Sequence, residues 1–315
     1  MDLPANALIF MDSIIYNATG LLFVVAGILL LIRMAGFPDL TADGSFTIGA
    51  ALYSVSLING WGTPLSLASA AAGGAIGGLL TWVINVRLGV GKVISGVLSM
   101  IILVLTAPYV SGGSTKSLLG LVNFHSKVDA LDAELTAAVI GDRPYQAHII
   151  FSLFWLTCFA ATGGALLYGL TTRFGVRLRY IGSAASPTLV DFSEQRGLLL
   201  SALMCGNALI AVGGSIEAQR RGGYTNNMGT GMLLVGLAVL VLGEALVKSL
   251  RKREYLRLLE YAVVVVLGAI VYSLGVQALL ALRINIVDLR LMTAVFLLVL
   301  LGVAGRAHSS STKLF

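Results

Sequence analysis

Charge is what this chain has least of. Only 11% of its 315 residues are Asp, Glu, Lys or Arg, against about 25% in soluble domains. It also has just two cysteines, six prolines and three histidines. Each scarcity excludes something. A water-soluble fold leaves much of its area exposed, and a chain with 57% hydrophobic residues and a mean hydropathy of +0.92 cannot supply a polar surface of that size. The two cysteines, Cys158 and Cys205, both lie inside apolar runs. They read as buried small hydrophobes, not as a disulfide or a metal pair. His125, His148 and His308 fall in loops or at the end of a run, so a buried Ser–His hydrolase or an intramembrane metal site is hard to build.

Other absences narrow the chemistry. The one Gly–Lys pair, Gly91–Lys92, is followed by Val93 and lacks the upstream glycine of a phosphate-binding loop. ATP is therefore not expected on this chain. No His-Glu-x-x-His is present. Met1 to Ser13 contain no basic residue, so the charged start of a cleaved signal peptide is missing and the first hydrophobic run is expected to stay in the mature protein. The net charge of +6 comes without an aromatic-interleaved basic groove, which argues against nucleic acid.

What is present is a series of apolar runs long enough for a bilayer core, which needs about 20 residues per helix. Spans are predicted at about 13–32, 64–86, 93–110, 147–170, 197–216, 228–247, 258–282 and 288–305. A shorter run at 45–58, interrupted by Gly49 and preceded by Gly44, makes a ninth. The expectation is an all-α polytopic bundle, one transmembrane domain over 1–315. The 37 glycines suit this reading, because small residues let helices approach closely. Ala70, Ala71, Ala72, Gly73, Gly74, Gly77 and Gly78 read as a packing face.

Lys and Arg set the orientation, since they accumulate on the cytoplasmic side. With the N-terminus outside and nine crossings, two-thirds of the 21 basic residues fall inside. The dense clusters Arg173, Arg177, Arg179, Arg196 and Lys248, Arg251, Lys252, Arg253, Arg257 are among them. Eight crossings would break that pattern. The C-terminus is then cytoplasmic. An outer loop spans about 111–147, with a short amphipathic surface helix expected near 128–140. An inner loop spans about 173–196.

Two polar stretches stand out. Arg33 to Ser45 breaks the first helix with Gly36 and Pro38, then presents Asp39, Thr41, Asp43 and Ser45 between two apolar runs. Irregular backbone at membrane depth must be covered by protein or line a cavity. The plainer reading is a cytoplasmic turn in which Asp43 or Ser45 caps the next helix. In Arg179 to Arg196, Ser186–Pro187 has the form of an N-cap followed by Pro at the first helical position. It reads as a surface helix that docks a partner or as a mere connector. Asn207 in mid-span, Glu217 and Glu244 at helix ends complete the candidates for a solute path. Asn207 could equally join two helices, and Glu244 could pair with Lys248.

The motif Phe37-Pro-Asp-Leu-Thr-Ala-Asp-Gly-Ser45, followed by Gly49-Ala50, resembles the signature of one ABC transporter permease group. That group lies within the branched-chain amino acid/ribose-type superfamily and is uncharacterised, tryptophan- or aromatic amino acid-like. The span Gly229 to Glu244 resembles the group's glycine-rich span ending in Gly-Glu. Leu178 to Pro187 resembles its cytoplasmic loop. The resemblance covers roughly 13–305. Ala185–Ser186 depart from the usual Asn before Pro, and Phe192–Ser193 from the run that usually follows Asp191.

The resemblance implies an importer subunit in a bacterial inner membrane, not an enzyme itself. It implies two permease copies, a separate ATPase that holds ATP and Mg, and a periplasmic or lipid-anchored substrate-binding protein. It implies that the 173–196 loop couples to the ATPase, with Arg179, Gly182, Pro187 and Asp191 carried over. It implies a small polar organic solute, an amino acid among the candidates. An ion-coupled secondary transporter is the alternative. A membrane-embedded enzyme lacks a nucleophile–base pair. Phe37–Gly44 and Gly223–Gly229 open their spans from opposite sides, as inverted repeats do.

Overall fold

The computed structural model describes residues 3–122, 126–127, 130, 157, 160–164, 168–169, 171–182, 192–251 and 258–281. Helices dominate them. In chain order they are α1 (Leu3–Ile28), α2 (Ala42–Ile58), α3 (Thr63–Trp82), α4 (Lys92–Ser111), α5 (Arg173–Gly182), α6 (Phe192–Arg220), α7 (Met232–Arg251) and α8 (Leu258–Ala281). Among the described residues, six helices are long and apolar enough to cross a membrane. At 17 residues, α2 is shorter. The expected spans at 147–170 and 288–305, and the surface helix near 128–140, lie wholly or mostly outside the described residues. Helix α1 starts about ten residues earlier than the hydropathy suggested.

One element was not foreseen. Strands β1 (Thr115–Ser117) and β2 (Gly223–Thr225) pair antiparallel, with Lys116 opposite Tyr224. This ribbon ties the segment after α4 to the segment after α6.

Helices α1 and α3 end alike. Each widens its last turn, over Leu29–Met34 and Val83–Arg87, so that an amide reaches back five residues. The Ala35 amide donates to the Leu30 carbonyl and the Leu88 amide to Val83. A glycine with positive φ follows each, Gly36 at 60° and Gly89 at 71°, a conformation only glycine adopts cheaply.

Close approaches fix the relative directions. Gly27 lies on Gly206 and Gly20 on Gly213, so α1 and α6 are antiparallel. Gly74 lies on Asn207 and Gly78 on Leu203, so α3 is antiparallel to α6 as well. Gly77 faces Ser45 while Gly73 faces Leu52, which runs α2 against α3. Gly236 beside Ile28 and Glu244 beside Arg33 set α7 parallel to α1. The predicted packing face on α3 is real: Ala70, Gly73, Gly74, Gly77 and Gly78 are buried. Ala72 points outward. Cys205 corrects the sequence reading. It is exposed, because the opposite face of α6 carries Gly206 and Asn207 into the bundle.

Candidate functional site

The segment leading into α2 has no regular secondary structure and buries Phe37, Asp39 and Thr41 while Pro38 stays exposed. Pro38 holds Phe37 away from helical dihedrals, and Phe37, Asp39 and Thr41 are no more than 1% exposed. One oxygen of Asp39 accepts the Thr41 amide at 2.9 Å and the Thr41 hydroxyl. The other accepts Nδ2 of Asn207 at 2.7 Å. Oδ1 of Asn207 accepts the Ser45 hydroxyl at 2.6 Å, and its Nδ2 also reaches the Leu203 carbonyl. Oγ1 of Thr41 lies 2.7 Å from Oγ1 of Thr81. With the Thr41 proton directed at Asp39, Thr81 is the donor, shared with the Gly77 carbonyl at 3.1 Å.

This is a carboxylate held by amide and hydroxyl dipoles, with no cation among its hydrogen-bond partners in the described residues. It joins the start of α2 to α3 and α6. Such a group is stable only when its lone pairs are filled, and here each oxygen is.

Asp43, one turn further on, does something different. Its oxygens accept the amide of Gly231 at 2.8 Å and that of Leu233 at 2.7 Å. These amides belong to the first turn of α7, where helices leave donors unsatisfied. The plainer sequence reading, in which Asp43 or Ser45 caps its own helix, is thus corrected. Asp43 caps another helix, and Ser45 serves Asn207. The fit needs Gly229, since a Cβ there would overlap the Asp43 carbonyl and the Thr47 hydroxyl.

Two helices therefore begin at one place and run apart. Gly44 lies against Met100, eight residues along α4 from Lys92, or about 12 Å at ~1.5 Å per residue. Gly231 is about 20 Å along α7 from Glu244 on the same rise. The meeting point is thus inside the helical layer, not at its face.

Of the path candidates, Asp39, Thr41, Ser45 and Asn207 form one network, with Asp43 beside it. Glu217 and Glu244 stand apart. Glu217, near the end of α6, accepts from Arg220 at 2.6 and 2.8 Å and from Arg221 at 2.6 Å. Glu244 pairs with Arg33, Nε to Oε1 at 2.8 Å and Nη2 to Oε2 at 2.9 Å. Lys248, the partner suggested by sequence, is 4.0 Å away. Arg33 was overlooked because 211 positions separate it from Glu244. Thr81 was also overlooked; its one signal was a lone hydroxyl among apolar and glycine residues. Of the coupling residues, Arg179 and Gly182 lie in α5, which packs against the widened end of α1. Pro187 and Asp191 lie outside the described residues.

These features define a multi-pass, all-α membrane protein with a buried polar junction. The chain is similar to the tyrosine transport system permease protein of Clostridioides difficile (strain R20291), 25% identical over 290 residues, covering 92% of this chain and 90% of that protein. It is also similar to an uncharacterized protein of Rickettsia prowazekii (strain Madrid E), 24% identical over 280 residues, 89% of this chain and 92% of the other. The first likeness is to a transport permease over nearly its whole length. No family model matches the chain, and no solved structure does.

Proposed function

We propose that this chain is the membrane-spanning permease subunit of an ATP-binding cassette importer for a small polar organic solute of the amino acid class. The observation that carries the reading is the junction at Asp43, where α2 and α7 start together and diverge. Discontinuous helices meeting within the membrane build solute sites in many transporters, commonly between inverted repeats. The full-length likeness to a permease named for tyrosine transport supports both the class and the solute.

In this reading two copies form the pore in a bacterial inner membrane, N-terminus outside and C-terminus inside. A binding protein delivers solute from outside. A separate ATPase, with its own ATP and Mg, presses on the 173–196 loops, where Arg179, Gly182, Pro187 and Asp191 carry the contact. Closure of the ATPase pair shifts the junction between outward and inward access. Asp39, Thr41, Ser45 and Asn207 then hold α2, α3 and α6 as one moving body.

Reconstitution decides it. The chain, an ATPase and a binding protein encoded beside it should together drive ATP-dependent uptake in proteoliposomes. Removing 180–191 should abolish uptake and solute-stimulated ATP hydrolysis while leaving membrane insertion intact. Uptake by this chain alone under a proton or sodium gradient would instead favour a secondary transporter. The depth of Asp39, buried without a cation partner, is the observation on that side.

A further inference from the structure

A cavity of about 180 Å³ lies beside the junction, between α1, α2, the end of α6, the start of α7 and α8. It is separate from the Asp39 network, and nothing described so far uses it. Its lining is of two kinds. Glu217, Arg220 and Arg221 form a cluster of two guanidiniums on one carboxylate. That leaves a net positive charge, and Arg presents a donor fork that matches a carboxylate. The apolar part of the lining includes Phe46, Met232, Val235, Tyr272 and Val276.

Ser273, only 1% exposed, borders the space from α8. The space is small beside drug-sized pockets of about 300–1,000 Å³. It admits one compact metabolite, not a peptide.

We infer that this cavity is a binding site for a small organic carboxylate with an apolar or aromatic body. The carboxylate faces Arg220 and Arg221, and the body packs on Phe46 and Tyr272. The inference rests on the importer reading for one thing only, the assignment of this end of α6 to the outer side, from which the solute would arrive.

The test is equilibrium binding of radiolabelled L-tyrosine, which carries both the carboxylate and the aromatic body, to the full chain in lipid nanodiscs. Saturable binding should be displaced by 3-(4-hydroxyphenyl)propionate, which keeps the carboxylate, and not by tyramine, which lacks it. Arg220→Gln and Arg221→Gln should each weaken binding at least tenfold. Val276→Phe fills the space from α8 without removing a charge. It should abolish binding, and it carries the test if an arginine variant fails to fold.

Absence of saturable binding to the wild type would overturn the inference. So would tyramine competing as well as the propionate, or unchanged affinity in both arginine variants. Binding that follows the expected pattern in a chain that never supports ATP-dependent uptake would sink the importer reading instead and leave the pocket standing.

Discussion

Asp43 and Gly231 are 188 positions apart in sequence, yet the carboxylate of the first accepts the amide of the second at 2.8 Å. That bond, with its neighbour to Leu233, fastens the first turn of α7 to the first turn of α2. A carboxylate at a helix start satisfies orphan amides and opposes the positive end of the helix dipole.

Removing the cap should loosen the junction. Loss of an N-cap costs about 0.5–2 kcal/mol. Asp43→Ala should lower the thermal midpoint of the purified protein in detergent, with Asp43→Asn intermediate because it keeps one acceptor. An unchanged midpoint in both variants would show that the contact is idle.

Asn207 and Asp39 should behave as one unit. Asn207→Ala leaves a buried carboxylate oxygen without its donor, and an unmade bond of that kind costs about 1–3 kcal/mol or more for a charged group. Asp39→Asn combined with Asn207→Ala should cost less than the two single changes added together. Denaturant unfolding of the four proteins measures the coupling; strict additivity would mean the side chains act independently.

Gly229→Ala should impair folding out of proportion to one methyl group, because the added carbon would sit on the Asp43 carbonyl and the Thr47 hydroxyl. Gly231→Ala meets no atoms but has φ of +81°, so it strains backbone instead. Yield of monodisperse protein should fall for both. The Gly229 variant should also weaken the Asp43 cap, seen as faster hydrogen exchange at Leu233.

Glu244 should depend on Arg33 far more than on Lys248. The Arg33 fork is two-pronged, but its side chain is 43% exposed, so solvent screening holds the contribution to about 1 kcal/mol or less. Arg33→Ala should lower the thermal midpoint measurably and Lys248→Ala should not. Exchanging the charges, Arg33→Glu with Glu244→Arg, should recover most of what Arg33→Glu alone loses.

Much of the helical layout was legible because hydropathy is a local property. Seven of the nine predicted spans coincide with described helices, and the buried glycines of α3 stand where small residues clustered in sequence. The polar residues Asp39, Thr41, Ser45 and Asn207 were equally visible, because polarity inside an apolar run is itself a signal. Their assembly was not visible. Nothing local pairs Ser45 with Asn207, 162 positions apart, or makes Asp43 the cap of a helix beginning at Met232.

The ribbon between Thr115–Ser117 and Gly223–Thr225 was hidden for the same reason. Three-residue strands carry no periodicity, and their pairing is a long-range event.

By itself, the sequence determined the solvent and the class of element. Too few charges and too many long apolar runs leave only hydrocarbon as surroundings, and hydrocarbon permits only backbones that satisfy their own hydrogen bonds. The tertiary structure alone decided which polar groups meet. Whether Asp39 finds Asn207, Asp43 finds Gly231, or Arg33 finds Glu244 depends on how helices pack, and that is set by glycine-sized gaps between segments far apart in the chain. Composition fixes how many such gaps there are, whereas the packed bundle fixes which helices they bring together.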